Sequence, residues 1–194
     1  KKIMDQTPVI TISGTRNMWF MAQEKMKVLL QSLNAKLVGN IALVDHTPNL
    51  ISAMTIVNWM FSGVKQRMFN LLPLPGISEN TIKESERFGE IILTSIQNKN
   101  YDNLQTNLVQ AGAVKVKNFL VSVDKKGNKM FKIWSKIIEN KQGKERRKYL
   151  KLFYYYLILA IWIISPIVNL IYIVFYPFNY FKYKKQVKYF QGIK

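Results

Sequence analysis

The sequence predicts a mixed α/β protein that carries helical, membrane-associated segments at its end. Three observations lead there. Two short apolar runs, the first of them β-branched and each followed by a helical stretch, open the chain. A run of thirty residues, Leu152 to Phe181, contains no charged side chain. The net charge of +18 gathers around that run, since residues 1–95 carry ten basic and seven acidic groups and residues 96–194 carry nineteen and four.

The first strand is expected at Pro8-Val9-Ile10-Thr11-Ile12-Ser13, a β-branched run between a proline and a glycine. Gly14 to Asn17 reads as a polar loop. A helix should follow, with Ala22, Met26, Leu29, Leu30 and Leu33 on one face. Lys36 to Val44 reads as the second buried strand, and Asp45 to Asn49 as a turn. Leu50 to Phe61 is an apolar helix closed by Gly63, with Met54, Trp59 and Met60 in the core. Strand, helix, strand, helix with short connections is the pattern of a parallel sheet. After a loop at Leu71 to Gly76, Ser78 should cap one further helix, with Ile82, Ser85, Phe88, Gly89, Ile92 and Ile96 packing inward.

Ligands of open α/β sheets sit beyond the carboxyl ends of the strands. Here those ends are Ser13 to Asn17 and Asp45 to Asn49. The loop through Gly14, Thr15, Arg16, Asn17 and Trp19 offers backbone N–H groups, a cation, an amide and an indole. That set suits an anionic or planar ligand. The same residues also suit a tight strand-to-helix turn with Trp19 packed on the sheet. His46, at the second strand end, is a candidate proton carrier, or else a hydrogen-bonded turn residue.

Several chemistries are excluded. The chain has no cysteine, so disulfides, thiolate catalysis and thiolate metal sites are out. One histidine leaves no His-based metal centre. No Walker loop, GxGxxG, GxSxG or credible carboxylate pair occurs. The basic stretches lack nucleic-acid signatures, so a nucleic-acid partner is not expected. The first strand begins almost at Lys1 and no initiating Met precedes it. The chain is therefore expected to be the later part of a longer protein.

Asp102 should open a short helix, with Gln105 at the third position as in a capping box. Val114, Val116 and, further on, Leu120 and Val121 alternate with Lys115 and Lys117, as in a brief edge strand or extended linker, and Asp124 to Asn128 reads as a turn. Lys129 to Lys141 is a basic amphipathic helix with Met130, Ile133, Trp134, Ile137 and Ile138 on its apolar face. It suits either a headgroup layer or the surface of the α/β domain.

The charge-free run would be about 45 Å long as one helix, against roughly 30 Å of hydrocarbon. Pro166 should kink or break it and Pro177 should end it. Both flanks are basic. A tilted span over Phe153 to Val174 is one solution. A re-entrant or interfacial hairpin bent near Ser165-Pro166 is the preferred one, because it leaves both basic clusters beside anionic lipid on the cytoplasmic side. A buried pair of core helices is the alternative without lipid. The expected divisions are residues 1–98 for the α/β part, 99–148 for the basic linker and 149–194 for the anchor.

Val9 to Trp19 and Leu37 to Asp45, with Leu74-Pro75-Gly76-Ile77-Ser78 and Glu86-Arg87-Phe88-Gly89, make the chain similar to the dialkylresorcinol-condensing enzymes, within the flavodoxin-like flavoproteins. The resemblance covers about half the chain. It implies a partial flavodoxin-like sheet and a flavin-dependent oxidoreductase that aromatises a cyclic diketone to a lipid-like dialkylresorcinol. It implies FMN as cofactor, with NAD(P)H as the reductant. Gly14, Thr15, Arg16, Asn17 and Trp19 fall where such proteins contact the flavin ring. Membrane lipid and a hydrophobic small-molecule substrate are the implied partners, and such reductases often form a homodimer. The Ser/Thr-rich phosphate loop of flavodoxin-like proteins has no counterpart in this sequence, which is expected to leave the chain alone inactive. The rival expectation is a non-catalytic, membrane-anchored α/β module that recruits a partner or anionic lipid.

Overall fold

The computed structural model describes residues 4–193, with the side chains at positions 49, 50, 53, 57, 60 and 61 outside that description. The expected core position of Met60 therefore lies outside the described residues. The chain divides into two units, Lys1–Val116 with Val187–Lys194, and Lys117–Gln186.

The first unit is mixed α/β. Strand β1, Pro8–Thr15, pairs in parallel with β2, Lys36–Val44, through a register irregularity at Val9/Ile10. Helix α1, Phe20–Ser32, makes the crossover that a parallel pair requires. Both strands fall where the sequence puts them, and β1 runs two residues beyond Ser13.

The second edge of β2 is closed without a strand. The Asn40 N–H donates to Gln105 Oε1 at 2.7 Å, and the Ala42 N–H donates to the Ala113 carbonyl at 2.9 Å. Gln105 sits on α5, Leu104–Gln110, which buries Leu104 and Leu108 against this region. Gly39 makes the approach possible, since a Cβ there would stand 3.2 Å from Leu108 Cδ1. The capping role expected of Gln105 is thus corrected. Its amide is spent on β2 and, through Nε2, on the Gln191 carbonyl at 2.6 Å. A buried strand edge needs those partners more than an exposed helix end does. The outer edge of β1 carries no strand among the described residues, and Ile12 is 65% exposed.

Helix α1 is turned relative to expectation. It buries Phe20, Gln23, Lys27 and Leu30, while Met26 and Leu29 stay exposed. The rotation is roughly a quarter turn at 100° per residue. Its cause is polar and aromatic together. Gln23 Nε2 donates to Thr11 Oγ1 on β1 at 3.1 Å, and Phe20 packs between Trp19 and Phe190, with centroids 4.6 and 5.1 Å away.

Helix α2, Asn49–Ser62, ends at Gly63 with φ 71°, as its sequence requires. It is less buried than expected: Trp59 is exposed beside Lys65, and Met54 is only half-buried. The single helix expected after Ser78 is two, α3 at Glu79–Glu84 and α4 at Arg87–Gln97. Ser85 Oγ donates to the Ile82 carbonyl at 2.6 Å and competes with the helical ladder at the break. Ser78 caps α3 by accepting from the Thr81 N–H at 3.2 Å. Phe88 and Ser95 are buried on α4, while Ile82 and Ile96 are exposed.

The end of the chain completes this unit. Helix α9, Tyr180–Gln191, delivers Phe190 to Phe20 and Trp19, and the Tyr189 hydroxyl donates to Glu24 Oε2 at 2.8 Å. That acceptor raises the Tyr189 pKa. Phe190 is almost fully buried, so Phe190→Ala should destabilise the first unit by about 3 kcal/mol. Chemical denaturation followed by Trp fluorescence reads the loss.

The second unit is a helical hairpin. Helix α6, Asn118–Glu139, takes in Leu120, Val121 and the turn expected at Asp124 to Asn128, while Val114 and Val116 precede it in irregular backbone. Asp124 to Asn128 is helical despite Gly127, because Leu120, Val123, Phe131, Trp134 and Ile138 fall on a continuous helical stripe. Helix α7, Gly143–Leu159, returns antiparallel and continues through a π-helical turn, Ala160–Ile164, into α8, Ser165–Phe175. Phe131 and Trp134 meet Phe153, Trp134 meets Tyr156, and Phe119 meets Tyr172, so α6 lies along most of the apolar run.

The bend expected at Ser165-Pro166 is absent. Gly143 to Phe175 is one helix of 33 residues, long and apolar enough to cross a membrane. Pro166 stands in the first turn of α8. The wider π turn just before it accommodates its missing N–H without a break. A 3₁₀ turn at Pro177–Asn179 then redirects the chain, and the Tyr172 and Tyr183 rings meet at 5.0 Å across it. No residue of the charge-free run is buried, which contradicts the pair of buried core helices.

Candidate functional site

The first unit places a ligand-sized cavity where the strand-end rule puts it. The cavity has a volume of about 310 Å³ and opens beyond β2. Asp45, His46 and Thr47 form one wall, Lys65 and Arg67 another, and Leu74 to Glu79 a third. The chain reaches it because Gly63 stops α2 and sends the basic pair Lys65 and Arg67 back across the strand end.

Asp45 organises the floor. It is buried, and its carboxylate accepts from the Thr47 N–H at 2.8 Å and from Ser52 Oγ at 2.6 Å. Its own N–H donates to the Thr15 and Arg16 carbonyls at 3.1 and 3.0 Å. One residue thus ties the two strand ends together. Arg16 is partly desolvated, which lowers its pKa, and the Asp45 charge acts in the opposite direction.

The residues predicted to hold a ligand are separated by this arrangement. His46 lines the cavity and is exposed. Gly14, Thr15, Arg16, Asn17 and Trp19 do not line it. Asn17 and Trp19 are buried, and Trp19 packs on Phe20 and Phe190. A Cβ on Gly14 would stand 3.2 Å from Ile77 Cδ1. A Trp19 that is 2% exposed presents no ring face to a planar cofactor, so this loop does not fit a stacked flavin. The Trp19 indole N–H is buried without a partner among the described residues. Lys65 and Arg67 were not singled out by the sequence. Their signal was a basic pair two and four residues beyond a capping glycine at a strand-end helix.

The second unit presents a different surface. Lys125, Lys129, Lys132 and Lys136 are exposed on α6 at spacings of four, three and four, which is one helical stripe. Trp134, Val123 and Phe131 lie on the opposite side and face α7–α8. The outward faces of α7–α8 remain apolar and uncovered, with Leu159, Ile163, Leu170 and Val174 among the exposed residues. Residues 117–186 carry fifteen basic and three acidic groups. A large apolar surface rimmed by charge marks an interaction site.

No group of three or more His, Asp or Glu residues is placed to hold a metal among the described residues. The fold and its two surfaces define a mixed α/β protein with a basic, apolar helical hairpin. No family model matches the chain, and no match is found among curated proteins or solved structures.

Proposed function

We propose that this chain is a membrane-surface protein whose helical hairpin lies lengthwise in the interface of an anionic bilayer, tethering the α/β unit to that surface. One observation carries the reading. Lys125, Lys126, Lys129 and Lys132 stand on a helix that runs alongside the charge-free segment from Phe153 to Tyr172. If that segment crossed the hydrocarbon with α6 still paired to it, those lysines would enter the core as well. Each lysine at the centre of a span costs about 2.5–3.5 kcal/mol, so four cost roughly 10–14 kcal/mol. Lying in the plane avoids this. The apolar faces of α7–α8 sink into the acyl layer, and the lysine stripe of α6 points away from it toward headgroups. Basic flanks suit the anionic cytoplasmic leaflet.

Sedimentation with vesicles tests it. The chain is expected to pellet with phosphatidylcholine vesicles containing about one third phosphatidylglycerol, and to do so less as salt rises. A chain that stays in solution with both anionic and neutral vesicles overturns the reading.

A second reading keeps catalysis: a flavin-dependent oxidoreductase of the dialkylresorcinol type, working on a hydrophobic substrate drawn from the bilayer. The parallel β1–α1–β2 crossover and the strand-end cavity lined by His46, Lys65 and Arg67 favour it. The burial of Trp19 and Asn17 ranks it second. An absorbance scan after incubation with FMN decides it, since a chain that takes up no flavin has no such activity by itself.

A further inference from the structure

We propose that the seam of the α6/α7–α8 hairpin is a binding groove for one acyl chain of an anionic membrane lipid. The proposal rests on the membrane reading above and adds a specific site to it.

The seam holds a half-open cavity of about 370 Å³, within the range that small-molecule pockets occupy. Its walls are apolar, including Phe131, Phe153, Leu157 and Val168. Three small residues, Gly127, Ala160 and Ser165, keep it open. Gly127 is the informative one. A glycine inside a helix is destabilising by roughly 1 kcal/mol relative to alanine. Close packing of a neighbouring helix is the usual compensation, yet nothing lies within 4 Å of the place a Cβ would take. The space is left empty at a cost to α6. Opposite it, the π-helical turn Ala160–Ile164 contributes Ala160 and Ile164 to the same cavity. Such turns recur at functional sites.

Two cations complete the chemistry. Lys126 and Lys129 line the cavity beside its apolar walls. An apolar channel lined by two lysines matches an alkyl chain ending in an anionic headgroup. A neutral alkane or sterol would make no use of the lysines. In a hairpin lying in the interface, acyl chains are the apolar molecules at hand and the headgroup layer is at the depth of the lysines.

Photolabelling of the full chain tests this. The probe is phosphatidylglycerol bearing a mid-chain diazirine, mixed as a trace into phosphatidylcholine–phosphatidylglycerol vesicles. Mass spectrometry should place most adducts on seam peptides around 123–131 and 153–168. Gly127→Leu fills the groove and should reduce seam adducts at least tenfold, while sedimentation with vesicles is unchanged. Circular dichroism checks that this variant keeps its helices. If it does not, the pair Lys126→Glu and Lys129→Glu replaces it and should cut seam labelling by the anionic probe several-fold. Adducts spread evenly over the exposed residues Leu159, Ile163 and Leu170, insensitive to either change, overturn the groove and leave the membrane reading intact. If the chain ignores vesicles, the membrane reading fails. The groove is then read with the lysophosphatidylglycerol form of the probe in solution, and absence of seam adducts there overturns the groove too.

Discussion

Replacing Lys144, Arg146, Arg147, Lys148 and Lys151 together with glutamine should weaken binding to anionic vesicles by roughly four-thousandfold at low salt. These residues open α7, immediately before the charge-free run, and all five are exposed. A lysine or arginine near an anionic membrane surface contributes about 1 kcal/mol each, so five contribute about 5 kcal/mol. None of them makes a buried contact, so the helices should keep their wild-type circular dichroism. The residual binding of the variant should fall less steeply with salt, because ten basic groups of this unit, the α6 stripe among them, still face the anionic surface. Titration of vesicles against Trp134 and Trp162 fluorescence measures both quantities. Unchanged affinity would mean that the charge around the hairpin serves something other than a lipid surface.

Asp45→Ala should destabilise the α/β unit by about 3–5 kcal/mol. The carboxylate is buried and accepts two hydrogen bonds, from the Thr47 N–H and Ser52 Oγ. Bonds to a charged acceptor contribute about 1.5–3 kcal/mol each. Its removal also leaves the half-buried Arg16 without the charge that offsets its desolvation. Urea denaturation of the variant measures the loss. A change under 1 kcal/mol would show that Asp45 does not hold the strand ends together. Asp45→Asn keeps the shape and one acceptor oxygen, and should fall between the two.

The parts of the fold legible in the sequence were those set by backbone-level patterns. Two apolar runs bounded by Pro8 and Gly14, and by Lys36 and Asp45, read as strands; β2 is buried as expected, whereas β1 keeps an open edge and buries no residue fully. Gly63 could be read as a cap because only a residue tolerant of positive φ suits that place. What escaped was decided by tertiary partners. The inward face of α1 is set by Gln23 reaching Thr11 and by Phe190 arriving from 170 residues downstream of Phe20, which no local periodicity records. Gln105 looked like a helix cap and serves a strand edge sixty-five residues earlier. Gly127 read as a turn, yet the apolar stripe on both sides of it holds α6 helical. Pro166 read as a bend, yet a π turn absorbs it.

The candidate site was half legible. The strand-end rule located it and picked out His46, but composition alone could not tell a ligand-facing Trp19 from a packed one. Lys65 and Arg67 enter through a loop whose path depends on how α2 ends. In the hairpin, the lysines and the apolar run were both evident in the sequence. Their being side by side was not, and that juxtaposition separates a span from an in-plane helix.

Spin-label depth along α7–α8 tests that separation most directly. The chain has no cysteine, so single labels at Tyr155, Leu159, Ile163, Ile167, Leu170 and Val174 report without background. With the protein on phosphatidylglycerol-containing vesicles, oxygen accessibility measured against a water-soluble nickel complex gives the depth of each site. An in-plane hairpin predicts depths that oscillate with the helical repeat and show no trend from Tyr155 to Val174, while a label at Lys132 stays in the headgroup layer. A profile that deepens steadily to the middle of the run and rises again toward Val174 would contradict it, because only a helix crossing the bilayer produces that shape.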